Sequence, residues 1–299
     1  MIEVVGGVRV EVETGFARRS DARVVVVCNH HSNADWMFLW CLCARLGRCH
    51  DLCVASKESM KAIPFCGWAM QGLVFIFLSR ENRIRDLATI RERVAYWRRG
   101  PSTFVLLFPE GTDLSPSNVA KAQAFGKTLT PPVCWRHVLV PRTGGTVAVV
   151  AALRPEAVYD LTIAYPGARL RPTLTSLLRK EGFPRAVRIV GERFEPSQLP
   201  PLGDEAAWKK WLLDRFARKE QLFHSAADLG EIASPAPRPV RLYGTALCGW
   251  GLAVAGFGVC LWRRSDARAS AFAGVLIWVC LTTVFHGLDT AILHQTRRA

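Results

Sequence analysis

His30 and Asp35 are separated by four residues in NHHSNAD (Asn29–Asp35), directly after the apolar run RVVVVC (Arg23–Cys28). A carboxylate that reaches one imidazole nitrogen fixes the tautomer and raises the basicity of the other nitrogen, which is the base–orienter half of a catalytic triad. No serine or cysteine nucleophile is needed if that base deprotonates a substrate hydroxyl. The same pair also fits a helix-capping Asp beside an unrelated histidine. FPEGT (Phe108–Thr112) follows a second apolar run, Phe104 to Phe108. Pro-Glu-Gly can be a plain turn. As a site, Gly111 permits close backbone approach, the Thr112 hydroxyl can hold a phosphate or hydroxyl, and Glu110 can accept a hydrogen bond from a substrate hydroxyl. Arg80 ends a third apolar run, with Lys57 and Lys61 upstream. Such cations are commonly solvated surface, but a charge that ends an apolar segment also suits an anionic head group.

These residues need a scaffold that gathers the ends of several strands. Arg23–Cys28, Leu52–Ala55, Leu73–Leu78 and Phe104–Phe108 read as strands, most of them β-branched or aromatic without alternation, as expected of strands covered on both faces. Helices are expected from Trp36 towards Leu46, over Asn82–Arg99 with Leu87, Ile90 and Val94 spaced along one face, and over Asn118–Phe125. The stretch from Trp36 to Leu46 is read as core, with an acyl-lining surface as the alternative. Val138–Val140, Ala148–Leu153, Leu161–Tyr165 and Val187–Val190 supply further strand and helix candidates. Trp208–His224 is amphipathic and reads as a helix packed on the domain rather than on a membrane. The alternation specifies an α/β fold: a central, mostly covered β-sheet flanked by helices. Sites in such sheets form at the carboxyl ends of strands.

The α/β core would occupy residues 1–230, with a Pro-rich linker at 231–244 and an apolar helical hairpin at 245–292, transmembrane or re-entrant. The hairpin is read from two apolar runs, Thr245–Trp262 and Ala269–Phe285, short for bilayer spans, where roughly 20 residues are usual. Arginines flank the hairpin and fill its loop, so the positive-inside rule leaves its orientation open. The start, MIEVVGGVRVEVETG, reads as a strand with a turn, not as a signal peptide. The formal net charge of +14 draws the protein to anionic partners. No zinc-finger spacing or basic stripe interleaved with aromatics supports nucleic acid, so acidic membrane lipid is the better partner. Ten cysteines, several within apolar runs, fit buried reduced thiols. Cys49, His50 and Cys53 lack a second ligand pair at zinc spacing, and no metal site is expected.

Taken in order, NHHSNAD, FLSR (Phe77–Arg80), FPEGT and the apolar LTIAYP (Leu161–Pro166) resemble the glycerolipid acyltransferase family, the lysophosphatidic acid acyltransferase group. DWMFLW, GWAMQ, FPEGTDL and VLVPRTGG are similar to its lysocardiolipin acyltransferase branch. The resemblance runs from about Gly7 to Phe223. Two positions depart from the family's second motif, Val74 and Ser79, which leaves Arg80 as its binding residue. The resemblance implies acyl transfer from acyl-CoA, a co-substrate rather than a cofactor, to the free hydroxyl of a lysophospholipid at a membrane such as the endoplasmic reticulum. His30 would be the base and Asp35 its orienting carboxylate; Arg80, Glu110, Gly111 and Thr112, with Lys57 and Lys61, would hold the acceptor. Glycerol-3-phosphate acylation, CoA-independent transacylation and a non-catalytic anionic-lipid-binding protein stand as alternatives.

Overall fold

The computed structural model describes residues 8–224 apart from positions 14, 19, 64, 65, 167–172 and 174–183. The linker and the apolar hairpin expected at 231–292 lie outside the described residues. Among the described residues, no helix is long and apolar enough to cross a membrane.

Two compact units divide the chain, and residues 59–75 are the described part of the smaller one. It carries most of a 3-10 turn, Glu58–Ala62, and helix α2, Cys66–Gly72. Gly67 is required there: a Cβ would sit 2.3 Å from the Met60 carbonyl oxygen and 2.5 Å from that of Lys61. Gln71 Nε2 donates to the Lys61 carbonyl at 3.3 Å.

The larger unit is built on a seven-stranded sheet. Its strands are β1 (Arg9–Val12), β2 (Arg23–Cys28), β3 (Leu52–Lys57), β4 (Ile76–Leu78), β5 (Thr103–Leu107), β6 (Ala157–Ala164) and β7 (Ala186–Phe194), in the order β1-β7-β6-β2-β5-β3-β4. The strands from β6 to β4 run parallel, whereas β7 is antiparallel to β6 and β1 is parallel to β7. The helices are α1 (Asp35–Arg45), α3 (Arg83–Trp97), α4 (Pro116–Gly126), α5 (Thr143–Leu153) and α6 (Glu205–His224).

Every residue of β5 and β6 is buried, and so are five of the six in β2, which explains their unbroken apolar reading. Successive side chains alternate between two cores. Val25, Val27, Val105 and Val158 pack with Ile90 and Val94 of α3, Val149 and Leu153 of α5, and Trp208, Leu212 and Phe216 of α6. The last three are fully buried, so the amphipathic C-terminal helix packs on the domain. Helix α1 contacts β1, β3 and β7 and buries Phe38, Leu39 and Leu42, as the core reading of this stretch requires. Its Trp36, Met37 and Trp40 stay partly exposed.

Chain direction places the site. From β2 the chain leaves through α1 to β3, beyond β5 on one side; from β5 it returns through α5 to β6, on the other side. Connections that diverge around β2 and β5 open a crevice at their carboxyl ends, where open α/β sheets bind ligands.

Candidate active site

His30 lies two residues beyond the carboxyl end of β2, and Asp35 is the first residue of α1. The intervening loop folds back so that Asp35 Oδ2 lies 3.0 Å from His30 Nδ1. The same oxygen accepts the Ser32 backbone N–H at 2.8 Å, and Oδ1 accepts the Tyr165 hydroxyl. Asp35 is completely buried. A carboxylate in that position must be paired, and three donors meet it. With Asp35 accepting Nδ1–H, the imidazole network assigns Nε2 as the unprotonated, acceptor nitrogen. The His30 ring stacks on Phe108, with centroids 4.2 Å apart and planes 21° apart. Its position is therefore fixed from two sides while it keeps 19% side-chain exposure.

Asn29 and Tyr165 do work that sequence reasoning did not assign to them. Asn29 is buried, its Nδ2 donates to the Ile163 carbonyl at 3.1 Å, and its Oδ1 accepts the Ile163 N–H at 2.9 Å. The side-chain amide thus pairs with β6 just past the end of the β2 backbone ladder and sets where His30 departs. Tyr165 follows the end of β6 directly, so adjacent strands deliver the His30 imidazole and the phenol to one carboxylate. Burial, reinforced by the Asp35 charge, pushes the Tyr165 phenol well above its ordinary value. It therefore stays protonated and donates. The signals available were an amide at the end of an apolar run and a tyrosine before proline.

The FPEGT turn joins the same crevice. Gly111 adopts φ +74°, a left-handed conformation in which a side chain is strained. The Thr112 hydroxyl accepts from Asn118 Nδ2 at 2.8 Å, which leaves its own proton for another partner. Glu110 is placed differently from a residue that greets substrate at the surface: it is 4% exposed and both carboxyl oxygens are buried without a full hydrogen bond. The backbone N–H groups of His30 and Leu139 act on the carboxyl in favour of its charged form. Burial, with a smaller push from Asp35, raises this carboxyl well above the usual range, against those N–H groups and Lys219. Glu110 is thus buried beside the His30 backbone N–H.

Arg80 reaches the turn from β4. Its guanidinium donates to the Gly111 carbonyl, and its backbone takes φ +66°. Asp86, in the first turn of α3, makes this possible. One carboxylate oxygen accepts Ser79 N–H and hydroxyl at 2.8 and 3.0 Å, and the other accepts Arg80 N–H at 2.8 Å. Lys57 is exposed at the end of β3, opposite Leu78 in the ladder. Lys61 belongs to the smaller unit, so the larger unit brings together His30, Asp35, Arg80, Glu110, Gly111 and Thr112 without it.

Cys53 is fully buried in the core while Cys49 is exposed, so the Cys49–Cys53 stretch does not converge on an ion. Burial pushes the Cys43 and Cys53 thiols up to about 12, which makes them inert core groups.

The sequence profile of the acyltransferase family matches residues 9–165. The chain is 34% identical over 245 residues to 1-acyl-sn-glycerol-3-phosphate acyltransferase 2 of Brassica oleracea, covering 79% of this chain and 61% of that protein. It is 33% identical over 234 residues to lysocardiolipin acyltransferase 1 of Danio rerio, covering 74% and 56%. The chain thus spans about three fifths of the length of these curated relatives. A crystal structure of the 1-acyl-sn-glycerophosphate acyltransferase of Thermotoga maritima aligns with a TM-score of 0.47 at 21% identity, covering 76% of this chain and 75% of that one.

Proposed function

The chain belongs to the acyltransferase family, and from that premise we propose that it transfers an acyl group from acyl-CoA to the free hydroxyl of an anionic lysophospholipid. Lysophosphatidic acid and lysocardiolipin are the acceptors in view, since the relatives carry 1-acyl-glycerol-3-phosphate and lysocardiolipin in their names. The observation that carries the reading is the His30–Asp35 pair, with its carboxylate fully engaged and its imidazole open on the Nε2 side.

In this mechanism His30 Nε2 takes the proton of the acceptor hydroxyl as its oxygen attacks the thioester carbonyl carbon. Asp35 stabilises the imidazolium that forms. The tetrahedral intermediate then collapses, the carbon–sulfur bond breaks, and the CoA thiolate takes up the proton held by His30. No covalent acyl-enzyme forms. Arg80 and the Gly111–Thr112 turn hold the phosphate-bearing part of the acceptor, and Lys57 adds positive charge. The acceptor is a bilayer lipid, and the +14 charge with the apolar runs after residue 244 favours work at an anionic membrane, with the endoplasmic reticulum as the expected site.

The test is purified full-length protein in mixed micelles with oleoyl-CoA and a panel of acceptors: glycerol 3-phosphate, lysophosphatidic acid and monolysocardiolipin. The reading predicts free CoA thiol in step with acylated lysophospholipid. No thiol release with any acceptor would overturn it. Transfer from phospholipid donors without acyl-CoA would replace it with a transacylase.

A further inference from the structure

A second arginine stands over the FPEGT turn. The Arg142 backbone N–H donates to the Pro109 carbonyl at 2.8 Å. Its side chain lies across Gly111, with Cδ and Nε both 3.7 Å from where a Cβ on that glycine would be. Arg80 donates to the carbonyl of the same glycine from the loop after β4. Two guanidinium groups from β4 and from the loop before α5 therefore meet at one residue. Asp86 lies near Arg80, but its oxygens are occupied by the Ser79 and Arg80 backbone and the Ser79 hydroxyl. Arg142 is exposed, and its guanidinium makes no hydrogen bond or ion pair with any described residue.

Like charges held this close repel, and the neighbouring Arg142 charge, after partial desolvation of the guanidinium, lowers the Arg80 pKa. An anion between them removes that repulsion. Arg142 is also the N-cap of α5, whose first turn adds partial positive charge. Nothing lies within 4 Å of a Cβ placed on Gly144 or Gly145, so space is open at this helix start. The segment before Arg142 is held from α6: Glu220 accepts the backbone N–H groups of Arg136, His137 and Val138 at 2.8 to 3.1 Å. Arginine pairs suit phosphate because the planar fork matches its oxygens.

We propose that Arg80 and Arg142, converging on the Gly111 turn, form a two-armed cradle for a phosphate group, with Arg142 a substrate-binding residue in its own right. This rests on the acyltransferase reading, under which the phosphate comes from the acceptor head group or from CoA.

The experiment uses full-length protein in micelles, Arg142→Gln and Arg142→Lys, with two readouts. Steady-state kinetics vary lysophosphatidic acid and oleoyl-CoA separately, and calorimetric titration measures lysophosphatidic acid binding without turnover. Loss of one charge-assisted hydrogen bond predicts a rise in KM and Kd for lysophosphatidic acid of about tenfold or more in Arg142→Gln. Arg142→Lys should recover part of it, and kcat should change little. Combined with Arg80→Gln, the effects should be less than multiplicative, because both arms hold one phosphate. A rise confined to the KM for oleoyl-CoA would keep the cradle and assign it to the donor's phosphates. Binding that depends on Arg142 in a protein with no turnover would keep the cradle and sink the acyltransferase reading. If neither KM nor Kd moves by more than twofold, the cradle is wrong.

Discussion

Replacing Asn29 with alanine tests whether this amide is what sets His30 in place. The side chain makes two bonds to Ile163, at 3.1 and 2.9 Å, and it is 1% exposed. Truncation strands the Ile163 N–H and carbonyl in an interior that water does not reach. An unsatisfied buried group costs about 1–3 kcal/mol, and alanine avoids desolvating the lost amide, so the net expectation is about 2–4 kcal/mol. That is less than the roughly 5–15 kcal/mol typical of whole domains, so the variant should fold. Asn29→Asp keeps an acceptor for the Ile163 N–H but turns an oxygen towards the Ile163 carbonyl, and it should do no better at neutral pH. Urea unfolding followed by tryptophan fluorescence gives the stability term. Turnover of the folded fraction should fall about tenfold or more, because the residue that follows Asn29 is the proposed base. A loss of under 1 kcal/mol with turnover unchanged would refute the anchoring role.

Tyr165→Phe removes one of the three donors on Asp35 while keeping the ring against Phe38 and His31. A bond to a charged acceptor is worth about 1.5–3 kcal/mol, so kcat should drop roughly ten- to a hundredfold, with both KM values held, in steady-state assays. Glu110 gives a pH prediction. Its raised carboxyl keeps a proton in the folded state above the ordinary carboxylate range, so the folded state binds more protons than the unfolded one and stability falls as pH rises from about 4.5. Glu110→Gln should flatten that slope, read as the difference in urea midpoint between pH 5 and pH 8. An equal slope in both proteins would contradict the buried, protonated carboxyl.

The parts of the fold legible in the sequence were those whose partners are local or uniform. β2 and β5 announce themselves because both faces are covered, and α3 because its apolar spacing follows one helical face. Ala148–Leu153 stayed ambiguous because α5 is apolar nearly all round, and periodicity then cannot separate helix from strand. Val138–Val140 looks like a strand, yet the Val138 N–H pairs with a carboxylate on α6, 82 residues away. No local pattern carries that. The site divides the same way. His30 and Asp35 sit on one short loop, so their spacing exposed them. Tyr165 meets Asp35 across 130 positions and Arg142 meets Gly111 through a tertiary loop, so only the folded chain reveals them. Glu110 was legible as a motif residue, but its burial was not, because a turn's sequence does not say which way its side chains face.

The central claim is that His30 is the base that activates the acceptor hydroxyl. Its most direct test is single-turnover acyl transfer by His30→Ala, with oleoyl-CoA bound and lysophosphatidic acid added, beside a thermal melt to show that the variant folds. A general base contributes about 10²–10⁴-fold, so the rate should fall by at least a hundredfold while binding of both substrates is kept. A folded His30→Ala protein that transfers the acyl group within a few-fold of the wild-type rate would contradict the account.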